Sequence, residues 1–205
     1  DLHSFPTRRS SDLHIVVCAI SLATISQAQV RFGFKAGANL ANLTGDIEEN
    51  SMKIGFNAGA VAKISISEAF SIQPELVFSA QGTKFDVGGD EDAKFNLNYI
   101  NLPILAQYNT SGFVIETGPQ FGFLMSAKQK LGDEEVDVKD ELKGLDISWA
   151  IGAGYVTQSG FGVNARFNLG LSNIVDGDDD DMELKNSVIQ IGVFYLLGGG
   201  GSAKK

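Results

Sequence analysis

The feature that most constrains this chain is the sorting of its connections. Eight segments place apolar residues at every second position, near residues 30–40, 54–66, 70–85, 95–109, 113–128, 146–157, 161–174 and 186–197. Period two is the mark of a strand with two unlike faces. The stretches between them alternate strictly. Those at 44–53, 86–94, 129–145 and 175–185 are long, and those at 67–69, 110–112 and 158–160 are tight. A soluble sandwich has no reason to sort its loops in this way. An outer-membrane barrel has an even number of strands, long loops at one end and short turns at the other. The expected fold is therefore all-β: an eight-stranded antiparallel up-and-down transmembrane β-barrel with long extracellular loops and short periplasmic turns.

In the first segment Val30, Phe32, Phe34, Ala36, Ala38 and Leu40 share one face, with Arg31, Gly33, Lys35, Gly37 and Asn39 on the other. Alternation alone does not say which face is inside. A soluble ligand-binding barrel needs an apolar interior, and a membrane barrel inverts this. The second face joins small residues to charges that can pair, which suits a narrow lumen. Arg31, Lys35, Lys63, Glu75, Glu116 and Arg166 are expected to form an internal charge cluster, with Glu75 and Glu116 neutralising Lys63 and Arg166. Buried charges persist only when paired and hydrogen-bonded. Eight strands leave an interior just filled by side chains.

Outside the segments the chain is acidic. Lys and Arg total 16 against 25 Asp and Glu, a formal charge of −9, which opposes nucleic-acid binding. After Ala28, every acid except Glu68, Glu75 and Glu116 stands in or beside a long connection. Phe32, Phe70, Tyr108, Phe113, Tyr155, Phe161 and Tyr195 fall near the tight-turn ends, as an aromatic girdle would. Pro74, Pro103 and Pro119 lie inside strands and should mark bulges or local breaks. The apolar phase slips at Phe95, Leu97 and Tyr99, so residues 95–98 are expected to rise above the membrane.

Residues 3–13 resemble the translation of a sequencing adapter, and residues 1–13 are set aside as a non-native leader. Residues 14–28 read as a truncated signal peptide, with cleavage expected between Ala28 and Gln29. Residues 29–197 are expected to form the barrel, and 198–205 a flexible tail. Cys18 lacks the small residues expected before a lipidated cysteine. His3, His14 and Cys18 all precede residue 29. The remainder therefore has no disulfide framework, no Cys or His metal site and no nucleophile activated by a His base.

Certain motifs resemble the PorT-like outer-membrane β-barrel family found widely in Bacteroidota-type bacteria. They are Phe34-Lys35-Ala36-Gly37-Ala38-Asn39-Leu40, Gln73-Pro74-Glu75-Leu76, Tyr99-Ile100-Asn101-Leu102-Pro103-Ile104-Leu105, Gly118-Pro119 and Gly170-Leu171-Ser172-Asn173-Ile174. The resemblance implies an acid at Asn101 and a base at Gln107, so one expected lumen pair is neutral here. In the last segment Gln190, Gly192, Tyr195 and Leu197 look like the signal read by the barrel-assembly machinery.

The leading expectation is a non-enzymatic integral protein of the bacterial outer membrane with a structural, surface-interaction or secretion-accessory role. Its expected partners are outer-membrane lipid, lipopolysaccharide and the assembly machinery, with room for an unidentified protein. It is expected to be a monomer without cofactor. A small porin or passive transporter and a soluble periplasmic ligand-binding β-barrel stay open as alternatives. The run at 176–183 offers Asp178 and Asp180 as weak metal ligands, without the spacing of an EF-hand.

Overall fold

A computed structural model describes residues 29–46, 50–86, 92–132, 134–176 and 183–198. The leader and signal-peptide assignments, Asp178, Asp180 and the tail beyond Gly198 lie outside the described residues.

The eight long strands are β1 (Gln29–Gly45), β2 (Asn50–Ser65), β3 (Phe70–Asp86), β4 (Asp92–Thr110), β5 (Phe113–Leu131), β7 (Leu145–Val156), β8 (Phe161–Gly170) and β9 (Leu184–Leu196). Each pairs antiparallel with its neighbours, and β1 pairs with both β2 and β9, so the sheet closes on itself. Closure gives each of these eight strands a hydrogen-bonded neighbour on both sides, as hydrocarbon demands. The tight connections are true hairpins. At Thr110–Phe113 the two central residues, Ser111 and Gly112, have φ of 49° and 89°. Positive φ at both positions gives the twist that antiparallel strands require.

Two elements lie in a connection expected to be loop. The short strand β6 (Glu134–Asp137) extends the upper end of β5, and a 3₁₀ turn (Lys139–Glu141) follows it. Glu135 on β6 accepts a hydrogen bond from Lys128 on β5, and that contact together with its charge holds the exposed ammonium above the usual lysine range. At the other long connection β8 stops at Gly170, short of the expected residue 174. The chain then turns inward, and Ile174 is fully buried.

The wall has the polarity of a membrane protein. Phe32 is 63% exposed and Ile54 73%, while Lys35, Glu75, Glu116 and Arg166 are buried inside. This overturns the soluble ligand-binding alternative. All seven girdle aromatics point outward. Phe70 stands opposite Tyr108 with ring centroids 5.3 Å apart, Phe113 opposite Tyr155 at 5.1 Å, and Phe161 opposite Tyr195.

The prolines interrupt the ladder without shifting its register. Around Pro74 and Pro103 the β3–β4 pairing skips from Pro74↔Ile104 to Val77↔Asn101 with the pairing sum unchanged. The bulges lie elsewhere, between Met52 and Asn57 on β2 and beside Met125 on β5, where Asn98↔Ser126 gives way to Tyr99↔Leu124.

Candidate functional site

The lumen is built in layers from the inward parity of each strand: odd positions on β1 to β4, even positions on β7 to β9, and even positions on β5 up to its bulge. Near the middle, Arg166 from β8 reaches across to β3 and β5. Its Nη1 and Nη2 donate to Glu75 Oε2 and Oε1, each at 2.8 Å, and its Nε donates to Glu116 Oε1 at 2.9 Å. Lys35 Nζ donates to Glu75 Oε2 at 3.0 Å. Two cations and two anions thus cancel. The two arginine–glutamate contacts and the lysine pair are all nearly free of solvent. Neutral amides complete the shell. Gln73 donates to Glu75 at 2.8 Å, and Gln107, standing where the resemblance implies a base, donates to Glu116 Oε2 at 3.0 Å. The cavity beside this quartet has a volume of about 10 Å³, room for one water.

Four of the six expected cluster residues meet in this quartet. Arg31 and Lys63 do not join them. They stand directly opposite each other at the tight-turn end, two inward positions below Lys35, which opposes Gly59. Arg31 donates to the Leu196 and Leu197 carbonyls, and Lys63 to Asn109 Oδ1. The expected neutralisation of Lys63 by these glutamates is therefore corrected: Glu75 pairs with Lys35 and Arg166, Glu116 pairs with Arg166, and neither pairs with Lys63.

Above the quartet lies an amide layer. Asn39 Nδ2 donates to Ser79 Oγ at 2.9 Å and to the Ala80 carbonyl at 2.8 Å, while its Oδ1 accepts from Asn57 at 2.7 Å and Gln190 at 3.2 Å. Higher still, Asp146 accepts from Asn186 at 2.9 Å and Ser172 at 3.0 Å, and Asn186 also donates to the Tyr99 hydroxyl. Asp146 counts as a loop acid by sequence; the strand start at Leu145 turns it inward.

The top layer is apolar. Leu43, Leu97, Leu124, Ala127 and Leu184 from the strands meet Val138, Leu142 and Ile174 from the folded-in connections. Leu142 and Val175 form a bridge between those connections. Phe95, Leu97 and Tyr99 belong here, so the expected phase slip is corrected. β4 keeps odd positions inward throughout, and only the chemistry of the inside changes, from a stretch carrying Asn101, Gln107 and Asn109 below Tyr99 to an apolar one above it.

In the proposed assembly signal, Gln190 is part of the amide layer, Gly192 stands opposite Gly37 at the β1–β9 seam, and Tyr195 and Leu197 are exposed. Among the described residues no group of acids is arranged to hold a metal ion.

A family model described as outer membrane protein beta-barrel domain matches residues 25–176. The chain belongs to this family. Its place is the bacterial outer membrane. The fold is similar to the crystal structure of Neisserial surface protein A, at 13% identity and a TM-score of 0.54, over 80% of this chain and 96% of that one. It is likewise similar to Ail, the attachment invasion locus protein of Yersinia pestis, at 12% identity and a TM-score of 0.50, over 82% and 99%. No curated protein matches the sequence significantly. At these identities the likeness is one of fold, and this outer-membrane barrel must be read from its own lumen.

Proposed function

We propose that the protein is a non-enzymatic, non-conducting monomeric barrel that serves the outer membrane through its surfaces, in a structural, surface-interaction or secretion-accessory role. The observation that carries this reading is a lumen filled twice over, by the buried quartet of Lys35, Glu75, Glu116 and Arg166 and by the apolar layer above it. An ion would have to pass both. The charged residues are satisfied by one another, which leaves neither glutamate free as an acid or base. Lipopolysaccharide around the wall and the assembly machinery at Gln190, Gly192, Tyr195 and Leu197 are the partners this reading expects.

Planar-bilayer recording tests it. Purified, heat-modifiable protein should give no stepwise conductance. Regular single-channel steps would revive the small-porin reading.

A further inference from the structure

The quartet has no net charge with which to cancel the two cations beneath it, and Glu116 attracts Lys63 only from a distance, without contact. Arg31 on β1 and Lys63 on β2 are directly opposed in the ladder, an arrangement that is destabilising for like charges unless something else intervenes. Both point inward at the tight-turn mouth, both are partly accessible, and both line an open cavity of about 280 Å³. Their protein acceptors are neutral: two backbone carbonyls for Arg31 and the Asn109 amide oxygen for Lys63. A guanidinium has five N–H groups and an ammonium three. These contacts therefore leave most of the donors unused. Ser65, Ser67 and Ser111 add hydroxyls to the same cavity, and Glu68 is the one acid among its lining residues.

We propose that this periplasmic mouth is a binding site for a phosphate group, held between Arg31 and Lys63. A tetrahedral anion with several acceptor oxygens suits a planar guanidinium fork beside a point charge and hydroxyl donors. The level of the site fits as well. The girdle of Phe70, Tyr108, Phe113 and Tyr155 marks the same end of the barrel, and aromatic girdles sit at the headgroup level. Phe113 lines the cavity itself. Behind the site a continuous chain of hydrogen bonds runs from Lys63 through Asn109, Ser71 and Gln107 to Glu116, so Lys63 is held in place from within. The phosphate can belong to a phospholipid of the periplasmic leaflet or to a free solute.

Calorimetry with inorganic phosphate, on protein in a maltoside detergent that carries no phosphate, tests the soluble source. Native mass spectrometry after addition of phosphatidylglycerol tests the lipid source. In either arm Lys63→Gln and Arg31→Gln should weaken binding about tenfold, the loss expected for one charged hydrogen bond, while Lys84→Gln on the outer wall leaves it unchanged. Inorganic phosphate binding identifies a soluble ligand, and retention of phosphatidylglycerol alone identifies a lipid headgroup; both support the site. Failure of both ligands to bind, or equal binding by Lys63→Gln, would overturn it. Each variant is first checked for the heat-modifiable gel shift, and Lys63→Gln decides alone if Arg31→Gln does not fold. The conductance test is independent of this result.

Discussion

Arg166 is the residue on which the middle of the lumen depends, because among the described residues it alone touches both glutamates. Removing one partner of a buried charge network leaves an uncompensated charge and typically costs about 3–5 kcal/mol. Arg166→Met should destabilise the barrel by that order, since Glu75 retains Lys35 as its one cation beside the Gln73 amide and Glu116 loses its charged donor. Urea unfolding in lipid vesicles, followed by the fluorescence of Trp149, the single tryptophan of the chain, measures the difference. A change below about 1 kcal/mol would mean that water replaces the guanidinium. The quartet's members were legible in the sequence because parity put them on one face beside small residues. Their grouping was less so. Depth counted from the turns ignores the stagger between strands in a tilted barrel, and this is why Lys63, expected at the depth of Lys35, stands opposite Arg31 instead, four residues nearer the tight-turn end of β1. Asp146 was hidden for a related reason: nothing in its composition separates the first inward residue of a strand from the last residue of an acidic loop.

Among the elements, the β4–β5 hairpin shows most directly how local sequence sets geometry. Gly112 has φ of 89°, and a Cβ there would stand 2.8 Å from the Tyr155 ring. Gly112→Val combines backbone strain with that clash and should cost on the order of 1–3 kcal/mol. It should also slow folding into vesicles, read as delayed appearance of the heat-modifiable band; unchanged kinetics would show that the turn forms after the strands have paired. The strands themselves were legible because period two survives in every one. The upper part of β4 was misread because the change there is not in direction. A bulge on its partner β5, beside Met125, flips the phase of the neighbour, while the inside of β4 turns from amides to Leu97 and Phe95. Sequence shows the change of residue type and does not show on which strand the register moves.

For the molecule as a whole, orientation follows from where the acids lie. Protease added to intact cells should cut within the long connections at 44–53, 86–94, 129–145 and 175–185 and spare the tight turns. Cleavage at 110–112 in intact cells would place the barrel the other way up. Strand lengths, in contrast, were poorly legible, since β4 and β5 continue well past the apolar belt with ordinary strand alternation. β4 has 19 residues and β8 has 10. At a tilt of about 40° these reach roughly 50 Å and roughly 25 Å along the membrane normal, against an apolar band of about 25 Å. The barrel is therefore cut obliquely at its outer end. On the β8 side the rim lies low, near the lipid boundary. On the β3 to β5 side a sheet rises like a parapet beyond the apolar band. A molecule drifting sideways in the outer leaflet meets a threshold from one direction and a screen from the other, so this protein has a front and a back in the plane of its membrane.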